Sequence, residues 1–264
     1  MIIFTHIAKT AGTSFAASIR DCYSNRFEFE EMETYSRNNK LITECFENKE
    51  KIDVESDFVH SHIPYGFHSI FNTEDYKYIT ILRDPIKRCV SSIRHSAKIR
   101  NTKGLVGDDV FANLFRHQNS DTDFINSLRE NEINCNIMTK QLSGMNYKDV
   151  ITDPNMKLQA QYYMPYSHCC RSYTDDEMKE MLGAAKRNLD TYAFIGLQDR
   201  FEESLRKYED VFSCKTKKVS KKLKSTRGTM DLSSIDKDSI DCLNDMNKYD
   251  IELYDYVLER LIDL

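Results

Sequence analysis

The stretch Ile2-Ile-Phe-Thr-His-Ile-Ala-Lys9-Thr-Ala-Gly12-Thr-Ser14-Phe15 organises the reading of the whole chain. Its first residues are a short apolar run that ends in a polar turn, the pattern of a buried strand. Lys9 to Ser14 then holds a single glycine, and Phe15, Ile19 and Cys22 fall at helical spacing from Ser14 to Cys22. A strand that leaves through a tight glycine turn into a helix presents backbone N–H groups and a helix dipole to an anion. Lys9 adds a point charge, and Thr13 and Ser14 add hydroxyl donors. The nucleotide-binding Walker loop requires Gly-Lys-Ser/Thr. Here Lys9 precedes Gly12, and none of the eight glycines in the chain is followed by lysine. An ordinary kinase or GTPase is therefore disfavoured, and the plainest alternative is a turn with a surface lysine.

A second unit of the same kind follows. Tyr78-Ile-Thr-Ile-Leu82 is an apolar strand, and Asp84 before Pro85 is a helix start for a run to about Ile99, with an N-cap side chain and then proline at the first helical position. Arg83 sits at the strand's carboxyl end, where it can fork onto a phosphate, and Ser91 lies two helical turns further on. Asp57 to His62 reads as another strand, stopped by Pro64, with His60 and His62 alternating onto one side. Residues 26–56 read as helix and loop, and 100–150 as mostly helical. Thr174-Asp-Asp-Glu177 is a capping box for a helix to about Leu189. Tyr192 to Gly196 is a further strand, Asp199 to Phe212 a helix, and two helices close the chain, the last with a stripe of Ile251, Tyr254, Val257 and Leu261. Strands alternating with helices predict an α/β fold, an open, mainly parallel sheet flanked by helices on both faces. The expectation is one domain over 1–264 with a helical insertion at about 100–190. Open parallel sheets bind ligands at the carboxyl ends of their strands, where both loops would sit.

Composition narrows the class. The 264 residues are 40% hydrophobic and 30% charged, which excludes wholesale disorder. No run approaches the roughly 18 apolar residues of a membrane span, and no basic leader is visible. Eight cysteines in a chain of this length make no disulfide scaffold, no Cys-x-x-Cys occurs, and a cytoplasmic location is the default expectation, with a trimmed lumenal domain as the alternative. Net charge is −5, but Lys215 to Arg227 carries seven basic residues and no acid, leaving the remainder acidic by about 12 charges. Such a balance disfavours general nucleic-acid binding and suggests one small polyanion.

Two motifs together resemble a family. Lys9-Thr-Ala-Gly-Thr-Ser14 is similar to the loop with which PAPS-dependent sulfotransferases grip the 5′-phosphosulfate of 3′-phosphoadenosine 5′-phosphosulfate (PAPS). Arg83-Asp-Pro-x-x-Arg88-x-x-Ser91 is similar to their 3′-phosphate motif. The order His-Ile-x-Lys-Thr-x-Gly-Thr-Ser, His-x-His, Arg-Asp-Pro most resembles the carbohydrate branch typified by heparan sulfate 2-O-sulfotransferase. Asn134 to Gly144, Phe194 to Leu205 and Asn247 to Tyr254 resemble its downstream blocks. Ala8, Ala11, Ser61 and Asp199 depart from it, and Ala11 stands where glycine is common, so that position needs a permissive backbone angle.

The resemblance implies the sulfotransferase fold, which is P-loop-NTPase-like, and assigns roles. Lys9, Thr10, Ala11, Gly12, Thr13 and Ser14 would hold the phosphosulfate, and Arg83 and Ser91 the 3′-phosphate. Arg227 and Gly228 would belong to a loop closing over the nucleotide. Transfer to a hydroxyl wants a base of near-neutral pKa, which points to histidine. Of His6, His60, His62, His68, His95, His117 and His168, the pair His60 and His62 lies where the resemblance places the catalytic histidines, with His62 the first choice and Lys9 assisting the leaving group. No metal is required, since two histidines without a partner Cys or carboxylate lack a zinc pattern. The expected partners are PAPS, released as PAP, and a saccharide hydroxyl acceptor, without nucleic acid or membrane. The rivals are a small-molecule kinase on a related fold and a non-catalytic nucleotide-binding protein.

Overall fold

Ile2, Ile3 and Phe4 are all buried, as a central strand covered on both faces requires, and with Thr5 they form β1 (Ile2–Thr5). The computed structural model describes residues 1–24, 26–28, 51, 53, 55–62, 64–92, 135–145, 173–217 and 237–260. Beyond β1 its strands are β2 (Arg26–Glu28), β3 (Phe58–Ser61), β4 (Lys77–Leu82) and β5 (Phe194–Leu197), joined in one parallel sheet of order β2-β3-β1-β4-β5. Its helices are α1 (Gly12–Ile19), α2 (85–92 of the described residues), α3 (Ile137–Ser143), α4 (Asp175–Leu189), α5 (Phe201–Phe212), α6 (Lys237–Met246) and α7 (Lys248–Arg260).

Strand alternation sorts the core into layers. Ile2, Phe4, Phe58, Ile79, Ile81 and Phe194 face Phe15 and Ile19 of α1 and Leu205 and Tyr208 of α5. Leu82 and Leu197 face the other way, onto α3, α4 and α7 through Met138, Leu142, Met181, Leu182 and Leu253. The sheet is thus flanked on both faces, and α3 and α4, which lie within the stretch expected to be an insertion, supply one of the flanking layers.

Local signals account for the boundaries. Asp84 Oδ1 accepts from Lys87 N at 2.8 Å, capping α2 as the Asp-Pro pair predicts. Thr174 and Glu177 form the reciprocal capping box that starts α4. Three readings need correction. Arg26–Glu28 lies in the stretch read as helix and loop, yet it forms an edge strand, because three residues carry too little periodicity to announce one. The buried stripe of α7 runs through Tyr249, Leu253, Tyr254 and Val257, while Ile251 is only half-buried and Leu261 lies outside the described residues. Finally, Cys22 and Cys214 form a disulfide across 192 residues of chain, with Cα atoms 5.7 Å apart, which spacing alone does not reveal.

The topology places the ligand-binding end. From β1 the chain turns to one side of the sheet, toward β2, and from the adjacent β4 it turns to the other, toward β5. This is a switch point, and the crevice it opens lies beyond the carboxyl ends of β1 and β4. Residues 6–12 and 83–85 leave the sheet there.

Candidate active site

The turn after β1 is built from two left-handed residues. Lys9 has φ 68° and Ala11 φ 71°, a conformation that L-residues adopt at a cost and that clusters at ligand clamps. Thr10, fully buried between them, donates from Oγ1 to the Ile7 carbonyl at 2.8 Å and closes the turn. Ala11 is the N-cap of α1 and supplies no side-chain acceptor, and the first backbone bond of the helix runs from Phe15 N to Ala11 O. The amides of Gly12, Thr13 and Ser14 therefore stand at a helix start that no side chain caps, the arrangement that suits an anion. Gly12 has a steric reason as well: a Cβ there would lie 2.0 Å from His6 Cδ2.

Arg83 joins the second loop to the first. Its Nη1 donates to the Lys9 carbonyl at 3.0 Å. Its Nε is buried and has no hydrogen-bond partner among the described residues. Burial lowers the pKa of this guanidinium from its ordinary value, and Asp199 and Asp84 oppose that effect. A half-buried arginine whose Nε is buried and unsatisfied among the described residues, beside a bare helix start, is the donor set of a site for a phosphorylated ligand. Ser91 is half-buried on α2, two turns from Arg83. Arg88 of the same motif goes elsewhere: it is 1% exposed, and its Nε lies 3.9 Å from Asp250 Oδ2 of α7, in the core.

The histidines form a stack at the tips of β1 and β3. His6 sits between His60, at 4.9 Å between ring centroids, and His62, at 4.1 Å. His60 Nε2 and His6 Nδ1 share a hydrogen bond of 2.9 Å. His62 Nδ1–H donates to the His6 carbonyl at 2.6 Å, and because a carbonyl only accepts, the neutral imidazole carries its lone pair on Nε2. The two candidate bases thus occupy different settings. His60 is 2% exposed and stacked on Phe4 at 5.0 Å, whereas His62 is half-buried. Gln141 of α3 donates from Nε2 both to the His6 carbonyl at 3.1 Å and to the His62 carbonyl at 2.7 Å.

Lys9, Thr10, Ala11, Gly12, Thr13, Ser14, Arg83, His60 and His62 therefore come together at the strand tips. Arg227 and Gly228, with His95, His117 and His168, lie outside the described residues. His68 is elsewhere, hydrogen-bonded to the Tyr78 hydroxyl at 3.0 Å. The root of the basic segment is described: Lys217 N donates to the Ser18 carbonyl at 2.8 Å and its ammonium pairs with Asp21, so this lysine serves the fold. Two residues escaped the sequence reading. His6 continues the alternation of Phe4 by two positions, a signal that was available, while Gln141 lies in the Asn134 to Gly144 block that resembles the family without anything in the sequence assigning it a role.

A family model described as the sulfotransferase family matches residues 1–257. The chain belongs to the sulfotransferase family. No curated protein matches it. Membership accounts for both motifs at once, since a sulfotransferase must hold an anionic sulfate donor in its crevice while an acceptor hydroxyl approaches. Among the described residues of this sulfotransferase no group of three His, Cys, Asp or Glu could hold a metal ion, and no helix is long and apolar enough to cross a membrane.

Proposed function

We propose that the protein is a PAPS-dependent O-sulfotransferase that uses His62 as its general base and acts on a hydroxyl of a carbohydrate. The observation that carries this reading is the 3.0 Å bond from Arg83 Nη1 to the Lys9 carbonyl, which brings two anion-binding loops to neighbouring strand tips beside the histidine stack. The residues fit a doubly anionic nucleotide: Arg83 Nε is buried without a partner among the described residues, and α1 starts without a side-chain cap.

PAPS supplies, when bound, a sulfuryl group on a phosphate leaving group. Lys9 and the amides of Gly12, Thr13 and Ser14 hold the phosphosulfate and stabilise the negative charge that grows on its bridging oxygen. Thr10 and Ala11 set the turn, Arg83 and Ser91 hold the 3′-phosphate, and Arg227 with Gly228 closes over it. His62 accepts the hydroxyl proton on Nε2 as the acceptor oxygen bonds to sulfur and the sulfur–oxygen bond to phosphate breaks, so charge is conserved. His60, buried behind His6, supports the stack. Of the acceptors, a small or weakly charged saccharide is favoured over a long polyanionic one, because no basic stripe runs through 24–56 or 100–175.

Transfer of radiolabelled sulfate from PAPS to a panel of neutral and uronic-acid oligosaccharides, with calorimetric titration of PAP and ATP, tests the reading. PAP should bind far more tightly than ATP. His62→Ala should lose roughly 10²–10⁴-fold in kcat while PAP affinity is kept, and Lys9→Ala should lose turnover. Preference for ATP would favour a kinase, and PAP binding without transfer to any acceptor a non-catalytic nucleotide-binding protein.

A further inference from the structure

One amide group holds both strand tips that carry the histidines. Gln141 Nε2 donates to the carbonyl of His6, beyond the end of β1, and to the carbonyl of His62, beyond the end of β3. Its backbone carbonyl also accepts from Tyr65 N at 3.0 Å, just downstream of His62. The side-chain orientation is set by chemistry: turning the amide over would aim Oε1 at two carbonyl oxygens, acceptor against acceptor. Gln141 is fully buried, and Oε1 has no hydrogen-bond partner among the described residues. An unmet buried acceptor is costly, and a residue chosen for packing alone would not carry one.

The His6 carbonyl that Gln141 holds is also the acceptor for His62 Nδ1–H at 2.6 Å. Its position decides which ring nitrogen of His62 bears the proton. The same residue's ring fills the space left by the absent Cβ of Gly12, so the phosphate loop and the base share one support.

We propose that Gln141 is a positioning residue for the transfer reaction: by clamping the His6 and His62 carbonyls it keeps the His62 proton on Nδ1 and turns Nε2 toward the acceptor hydroxyl. This rests on the reading of His62 as the base. Gln141 touches neither substrate nor nucleotide in this role, and it acts through the His6 carbonyl. A leucine at 141 fits the same space but holds neither carbonyl.

The test uses the full chain labelled with ¹⁵N-histidine, with the ring signals of His62 assigned by comparison with His62→Gln. In the native protein, neutral His62 is expected as the Nδ1–H form. In Gln141→Leu the two tautomers should mix, and kcat with the accepting oligosaccharide should fall roughly 10- to 100-fold, with the Kd for PAP within about twofold. A Gln141→Leu protein that keeps the Nδ1–H form, or that loses it with kcat unchanged, overturns the proposal. Should the variant fail to fold, the native spectrum decides, and an Nε2–H form of His62 there overturns it. The base reading fails separately, if His62→Ala retains its kcat.

Discussion

Ala11 shows how a single backbone angle shapes the site. Its φ of 71° lies in the region that glycine enters freely and alanine at a cost of roughly 1–2 kcal/mol. The turn keeps that angle because Thr10 is tied to Ile7 and α1 must start at Gly12. Ala11→Gly is expected to stabilise the protein by about 1 kcal/mol in urea unfolding, after the partial offset of a more flexible unfolded chain. An unchanged or lower midpoint would show that the turn is not strained at this position. Gly12 lies beside it, in helical conformation, and its necessity comes from the His6 ring alone. Sequence reading anticipated the permissive angle at 11, but it took Gly12 for the glycine of the tight turn. Lys9 and Ala11 make the turn instead, and the His6 ring, which meets Gly12 only when the chain folds, is what excludes a side chain there.

At the scale of elements, the downstream blocks acquire meanings that resemblance did not supply. Cys135 to Gly144, the described part of the first block, and Asn247 to Tyr254 clasp each other. Asp250 of α7, fully buried, accepts from Met138 N at 3.1 Å and Thr139 N at 2.7 Å and so caps α3. Asn136 returns the service: its Oδ1 accepts from Tyr249 N at 3.1 Å and Asp250 N at 3.0 Å and caps α7. Arg88 of α2 lies against the same carboxylate. One carboxylate therefore ties α2, behind the Arg83 loop, to α3, which carries Gln141. Removing it takes a carboxylate from beside a buried arginine and leaves two helix-start amides without their acceptor, so Asp250→Ala is expected to cost about 3–5 kcal/mol in urea unfolding. A loss below 1 kcal/mol would mean that this junction holds little. Capping within one segment, as at Thr174 and Glu177, can be read from adjacent letters. Capping across 111–114 residues cannot, because neither partner's spacing refers to the other.

Across the whole molecule, the disulfide fastens the start of the basic segment to the far end of α1. Cys22 closes the short turn Arg20–Cys22 after α1, and Cys214 follows α5. Lys217 reinforces the junction through Ser18 and Asp21. Peptide mapping of the protein purified without reductant should recover the Cys22–Cys214 cross-link. Cys22→Ser should then lower stability by roughly 2–4 kcal/mol relative to the oxidised parent, with the difference vanishing once both are reduced. Two free thiols at these positions in protein from an oxidising medium would remove the junction.

The letters alone announced an α/β chain with two strand–loop–helix units and an anion at their tips, because apolar runs, one glycine turn and an Asp-Pro start are local signals whose physics needs no distant partner. They also placed His60 and His62 on one side of a strand, since alternation along a strand is a property of the strand itself, and the family resemblance singled the pair out as candidates for the base. Only folding back gives those two different settings, with His60 buried against Phe4 and His62 half-buried. It also sent Arg88 into the core, and it brought Gln141 to both strand tips. Each of these depends on contacts between residues far apart in sequence, and burial and hydrogen-bond partners come into being only when the layers close over the sheet.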